Sequence, residues 1–208
     1  MKVLMINGSP WGESCTYTAL TVIAEELEKN GIETEIISIG KDRLRGCIAC
    51  GGCRKNDWKC VFDDDIANEI IEKAKTSDGF ILGSPVHYAA ASGEMTAIMD
   101  RVFFAGSKHF KYKPGAAIVS ARRGGTSAAL DQLNKYFTIN CMPVVSSTYW
   151  NMVHGTTVDE VKQDLEGMQV MQNLGKNMAW ILKSIEAGKK AGIEIPVLEK
   201  GIRTNFIR

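Results

Sequence analysis

Four of the chain's six cysteines, Cys47, Cys50, Cys53 and Cys60, fall in the stretch GCIACGGCRKNDWKC with the spacing C-x2-C-x2-C-x6-C. The other two, Cys15 and Cys141, stand apart. Three sulfurs at successive i+3 steps can bend around one centre, and a fourth from the same loop can complete it. Tight runs of this kind ligate [4Fe–4S] clusters. Structural zinc usually takes two C-x2-C knuckles with a long spacer, which this segment lacks. Cluster, zinc and free thiols remain three open states of the same four residues. A disulfide framework is not expected in a protein read as cytosolic, where thiols stay reduced.

Three further segments could bind a ligand. GSPWGESCT runs from an apolar strand into a helix and offers Ser9, Ser14, Thr16 and the free N–H groups of a helix start. Hydroxyl donors beside the positive end of a helix dipole suit a phosphate. The segment is neither G-x-G-x-x-G nor G-x-x-x-x-G-K-[ST], so a dinucleotide clamp or a nucleoside-triphosphate loop is poorly supported and a monophosphate fits better. Helix capping alone would also explain these hydroxyls. SPVHYAAASG supplies Pro85, Val86, His87 and Tyr88 as a wall for a planar ligand; no acidic partner can be placed beside His87 to make it a base. SARRGGT sets Arg122 and Arg123 beside Gly124 and Gly125, where guanidinium groups could answer anionic parts of a cofactor. No side chain is assigned a catalytic role.

For these turns to meet, the chain must bring them to one edge. KVLMIN, ETEIIS, GFILGSP, GAAIVSA and MPVVSST read as five strands, each a compact apolar run. Helical spacing marks Leu20, Ile23 and Leu27; Met95, Ile98, Met99, Val102 and Phe103; and Leu130, Leu133 and Phe137. DDDIANEIIEKAK carries acids early and lysines late, as a helix dipole prefers. Thr157 and Glu160 form a capping-box pattern opening one long helix, with Val161, Leu165, Met168, Met171, Met178 and Ile185 on one side and Gly167 and Gly175 weakening its middle. Strands alternating with helices imply a parallel sheet covered on both faces. Ligands of such sheets lie beyond the C-terminal strand ends, where the winding reverses.

The chain has 208 residues, 45% hydrophobic and 24% charged, with 25 Lys plus Arg against 24 Asp plus Glu and a formal charge of +1. This balance offers no basic field for nucleic acid. The N-terminal apolar run stops at Asn7-Gly8, too soon for a secretory segment. The longest uncharged stretch, Tyr136 to Val158, is too polar to span a bilayer. Cytoplasmic residence and no membrane partner are the expectations.

Taken together, MKVLMINGSP…SCT, ILGSPVHYAAASGEMTAIMDR and IVSARRGGTS resemble the flavodoxin-like NAD(P)H-dependent FMN reductases, over roughly the first 150 residues. The cysteine motif following the second strand resembles the iron–sulfur flavoproteins within that fold. The resemblance implies an α/β, flavodoxin-like three-layer sandwich with a five-stranded parallel sheet. Residues 1–188 would form the FMN-binding domain, with a cysteine-rich insert at 46–62 and a C-terminal tail at 189–208. Carried over by position, Ser9, Pro10, Trp11, Ser14, Cys15 and Thr16 would surround the phosphate and ribityl chain. Pro85, Val86, His87 and Tyr88 would line the flavin ring, and Ala121, Arg122, Gly124 and Gly125 would close its far side. Cys47, Cys50, Cys53 and Cys60 would be the ligands of a [4Fe–4S] cluster. Two positions depart from the pattern: Trp11 stands where a basic residue is common, and Cys15 replaces a small polar one.

The implied activity is an FMN-dependent oxidoreductase that takes electrons from NAD(P)H and passes them to a small molecule or redox protein, through the cluster if one is present. The competing readings are a non-enzymatic flavodoxin or iron–sulfur electron carrier, and a zinc-stabilised binding module. A homodimer or tetramer is expected, because flavin sites of this family lie near subunit interfaces.

Overall fold

The computed structural model describes residues 1–41, 43–199, 201–202 and 204, so part of the expected C-terminal tail lies outside the described residues. Five parallel strands form the sheet: β1 (Lys2–Asn7), β2 (Glu33–Ser38), β3 (Gly79–His87), β5 (Gly115–Ala121) and β6 (Met152–His154). A two-residue strand, β4 (Ala90–Ala91), turns back antiparallel on the end of β3. The spatial order β2-β1-β3-β5-β6 reverses its winding between β1 and β3. The expected five-stranded parallel architecture is borne out.

Two apolar clusters sandwich the sheet. On one face α1 (Cys15–Lys29), α5 (Val158–Gln163) and α6 (Leu165–Lys190) bury Leu20, Ile23, Leu27, Val161, Met171 and Met178. On the other, α2 (Ala67–Thr76), α3 (Gly93–Gly106) and α4 (Thr126–Ile139) bury Ile70, Met95, Met99, Phe103, Leu133 and Phe137. β1, β3 and β5 are buried on both sides, which is why they read as continuous apolar runs instead of alternating ones. Among the described residues, no helix is long and apolar enough to cross a membrane.

Three sequence expectations shift. The acids of DDDIANEIIEKAK mostly precede α2: Asp65 Oδ1 accepts the Ala67 N–H, and Glu69 is the acid of the first turn. The fifth strand does not run through MPVVSST. That stretch touches the sheet only where Val144 bridges Gly115, and the chain returns as β6 at Met152. The reason lies at Asn151. Asn151 Nδ2 donates to Ala117 O (3.0 Å) and Asn151 O accepts from Val119 N (3.0 Å), so one asparagine satisfies β5 where a ladder would. The released loop is tied to α6 instead, with Ser147 Oγ donating to Val170 O and Asn177 Nδ2 to Ser146 O.

The long C-terminal helix is likewise two helices, broken at Asp164. Its carboxylate accepts the Gly167 N–H (2.9 Å) and the His154 N–H (2.7 Å), capping α6 and fixing the end of β6. A Cβ at Gly167 would lie 2.4 Å from Asp164 Oδ2, so the glycine serves the cap. At Gly175 a Cβ would meet the Ile23 carbonyl at 3.0 Å, so that glycine lets α6 approach α1. Leu165, at the new helix start, is 77% exposed and does not face inward as expected.

Candidate functional site

The loop after β1 is shaped from below by Asn7, which is fully buried. Asn7 Oδ1 accepts the Ser9 N–H (3.1 Å), and its amide donates to Ser38 Oγ (3.0 Å) and Trp11 O (3.4 Å). Ser9 Oγ then accepts the Trp11 N–H (3.2 Å). These bonds stack two Asx/ST-type turns and leave the chain running across the start of α1. Ser14 caps that helix, its hydroxyl accepting from Tyr17 N. The backbone N–H groups of Gly12, Glu13, Ser14, Cys15 and Thr16 make no hydrogen bond with the described residues. Successive free donors at the positive end of a 15-residue helix are an anion cradle.

The expected side-chain donors divide. Ser9, Pro10, Trp11 and Ser14 lie along the cradle. The Thr16 hydroxyl shares a buried 2.8 Å hydrogen bond with Ser120 under the site, so Thr16 offers its N–H there. The Cys15 thiol turns sideways and donates to Thr157 O (3.2 Å) and Gly155 O (3.6 Å); burial pushes its pKa up. Trp11 lacks the charge common at its position, but Lys41 Nζ sits 3.1 Å from the Trp11 ring centroid and brings a cation to the same place from the end of β2.

Two other turns reach the same edge. Register pairs Asn7 with Gly83 and Pro85 with Ser120, so the chain leaves β1, β3 and β5 at neighbouring points. Tyr88 and Ala89 form a two-residue hairpin turn, both at positive φ (51° and 60°). Non-glycine residues in this region cost of order 1–3 kcal/mol each, a strain that collects at functional sites. Pro85 and Val86 are half-buried, while His87 and Tyr88 are exposed. Gly125, at φ 90°, closes on this hairpin; a Cβ there would lie 2.7 Å from Ala89 Cα. Ala121 ends β5 and is buried, whereas Arg122, Arg123 and Gly124 are exposed.

Buried hydroxyls join the turns, and the sequence reading did not single them out. Ser92 Oγ donates to Gly8 O (2.9 Å) and accepts the Met95 N–H, capping α3, while Ser92 N donates to Ser84 Oγ (2.9 Å). The Asn7 turn was visible as Asn-Gly-Ser after an apolar run. Ser84 and Ser92 gave no local signal, because their partners lie on other segments.

The cysteine loop lies along α3, away from the strand ends. Cys53 is buried, Cys60 half-buried, Cys47 and Cys50 exposed. All four line one small recess between Val61 and Phe104. Among the described residues, no three Cys, His, Asp or Glu side chains converge closely enough to hold a single metal ion. Arg101, which in the sequence only closed the motif ILGSPVHYAAASGEMTAIMDR and was given no role, anchors the loop. Its guanidinium is 1% exposed and ion-pairs with Asp65, while Nη2 donates to Phe62 O (2.8 Å), Nη1 to Arg45 O (3.2 Å) and Nε to Cys60 Sγ (3.2 Å). Burial works against its charge, but the bonds to Cys60 and Asp65 outweigh it and raise the Arg101 pKa. Asn68 holds Cys60 from the other side, accepting its N–H and donating to its carbonyl.

Comparison with known proteins agrees with this arrangement. The profile of the NADPH-dependent FMN reductase family matches residues 1–157. An iron–sulfur flavoprotein of Methanocaldococcus jannaschii is 36% identical over 202 residues, covering 89% of this chain and 100% of the relative. One from Methanosarcina thermophila is 31% identical, covering 91% and 99%. Among solved structures, an archaeal flavodoxin aligns with a TM-score of 0.60 at 17% identity over 88% of this chain and 99% of its own. RosB with a bound flavin intermediate aligns at 0.69 and 15% identity over 99% and 92%. The last two show the fold alone. The chain belongs to the NADPH-dependent FMN reductase family, among relatives of the iron–sulfur flavoprotein type.

Proposed function

We propose that the protein is an FMN-dependent oxidoreductase that takes electrons from NAD(P)H and passes them to a small-molecule or protein acceptor, with a [4Fe–4S] cluster on Cys47, Cys50, Cys53 and Cys60. The observation that carries this reading is the run of free N–H groups from Gly12 to Thr16, held open by the buried Asn7 and Ser9. When bound, FMN supplies hydride acceptance and stepwise electron release, and a cluster supplies one-electron transfer.

The chain's own residues bind and orient. The N–H groups and the Ser14 cap hold the phosphate, with Lys41 nearby adding charge. Pro85, Val86, His87 and Tyr88 flank the ring, and Ala121, Arg122, Gly124 and Gly125 close its other side. The exposed Arg122 and Arg123 have no ion-pair partner among the described residues and suit the phosphates of an incoming nicotinamide dinucleotide. The four cysteines fit a polynuclear cluster better than zinc. Zinc needs every sulfur about 2.3 Å from one point, whereas a cluster takes one thiolate at each iron, which sulfurs spread around a recess can supply. Residues 1–188 act as one domain with the insert at 46–62, 189–208 are its C-terminal tail, and the protein works in the cytoplasm as a homodimer or tetramer.

The test is an ultraviolet–visible spectrum of anaerobically purified protein, with iron and zinc measured on the same sample and NADH or NADPH then added. Flavin bands that bleach with the nicotinamide, and about four irons per chain, are expected. Flavin that bleaches with dithionite but not with either nicotinamide makes the protein an electron carrier; colourless zinc protein sinks the reading.

A further inference from the structure

A cavity also lies away from the strand ends. It holds about 710 Å³ between the cysteine insert and helices α3 and α4. That volume is within the range of small-molecule sites, which are mostly apolar with a few placed polar groups. Phe103, Phe104, Tyr136, Ile139 and Trp58 supply the apolar lining. Phe104 is 48% exposed and Ile139 82%, apolar surface that a bound apolar ligand would cover. Cys47 and Cys53, two of the four cysteines of the insert, form part of the wall.

Charge on the wall is one-sided. Arg54 and Lys111 line the cavity, and neither has an ion-pair partner among the described residues. The one acid, Asp100, is engaged: Tyr136 Oη donates to its Oδ1 at 2.6 Å, and burial with this bond pushes the tyrosine pKa far up. Backbone strain gathers on the same wall. Ala49 and Trp58 both have positive φ (53° and 62°), and Trp58 is held by its N–H to Cys53 O and by Lys108, 5.5 Å from the ring centroid.

We infer that this cavity binds the electron acceptor, and that the acceptor is a flat aromatic anion: rings on Phe104 and Trp58, negative charge toward Arg54 and Lys111, one edge against Cys47 and Cys53. The inference rests on the oxidoreductase reading for the word acceptor; the site itself rests on the cavity. Aromatic faces and guanidinium or ammonium groups together select such molecules over aliphatic anions and over neutral rings.

The experiment titrates the FMN-loaded protein with anthraquinone-2-sulfonate and follows tryptophan fluorescence in wild type and Trp58→Phe, whose difference isolates Trp58 from Trp11, Trp150 and Trp180, with calorimetry in parallel. Saturable quenching is expected. It should be lost in Trp58→Phe while the heat of binding persists, weakened at least tenfold in the Arg54→Glu/Lys111→Glu variant, and much weaker in wild type with neutral 1,4-naphthoquinone. Both charge reversals are at exposed positions, so the variant folds, and circular dichroism checks that. Saturable quenching undiminished in Trp58→Phe, equal binding by the charge-reversed variant, or protection of this face between copies of the chain overturns the inference. These failures are distinct from failure of the functional reading, which shows as flavin that nicotinamide does not bleach in the wild-type protein.

Discussion

The strand-end cradle and the cysteine insert sit at opposite ends of one helix and are built by opposite means. Ser92 caps the start of α3 and bonds the loop after β1 through Gly8 O. Arg101, nine residues on and about 13 Å along the axis, holds the insert. The cradle is backbone: N–H groups aimed by a parallel sheet and by buried hydroxyls, each bond neutral and modest. The insert is side chain: one buried cation gathers a sulfur, a carboxylate and two carbonyls from a loop with little regular structure of its own. Many small constraints should tolerate single losses, and one large constraint should not.

Arg101→Ala tests that contrast most severely. It leaves the Asp65 carboxylate, 2% exposed, without its cation, a change of roughly 3–5 kcal/mol. Urea denaturation should show that loss, and iron retention should collapse because Cys60 loses its anchor. Replacing both partners, as Arg101→Met with Asp65→Leu, should recover most of the stability but not the iron. Full iron content in Arg101→Ala would mean that the loop is held by something other than this guanidinium.

Next in size is Gly125→Ala. Its φ of 90° and the 2.7 Å approach to Ala89 Cα leave no room for a methyl group. The left-handed conformation alone costs about 1–2 kcal/mol for an alanine, and the clash pushes the Tyr88–Ala89 hairpin away from the proposed position of the flavin ring. FMN titration should show at least a tenfold loss of affinity. Ser14→Ala should do less, about 1 kcal/mol of capping, because the free N–H groups remain. If Ser14→Ala abolished FMN binding while Gly125→Ala left it intact, the phosphate hydroxyl, not the backbone, would dominate the cradle.

The two regions also differed in how far the sequence disclosed them. The strands β1, β3 and β5 are buried on both faces, so their apolar runs announced them, and the turns that follow inherited the position. Cysteine spacing announced the insert. What stayed hidden was long-range: Arg101 stood only at the end of a family motif with no role, since its partners lie 36 to 56 positions away. Asn151 replacing a strand ladder was equally invisible, and MPVVSST, a good apolar run, was released from the sheet because a side chain had already satisfied β5. Asp164 broke the last helix for the same reason, by taking an N–H from β6. Local pattern reports what a segment prefers; it is silent on which buried polar group has claimed the partner.

The smallest effect separates the regions by pH. Near the insert, His109 Nε2 is buried with no partner among the described residues, and burial, with Lys108, Lys75 and Lys113 around it, holds its pKa below the ordinary 6.5. The unfolded chain therefore takes a proton as pH falls through 6.5 while the folded chain resists, so stability declines from there down to the depressed folded value. On the cradle side, Glu160 accepts the Thr156 and Thr157 N–H groups, and these hold its pKa below the usual carboxylate value. That contribution is whole above the unfolded pKa of 4.5 and fades only as pH falls through the lower folded one. Amide exchange, corrected for its intrinsic pH dependence, should thus show Ser107–His109 losing protection between pH 7.5 and 5.5 while Thr156 and Thr157 keep theirs. His109→Gln, which cannot charge, should flatten the first change and leave the second untouched. A parallel loss in both segments over that interval would tie the two ends of α3 into one cooperative unit and remove the independence the comparison assumes.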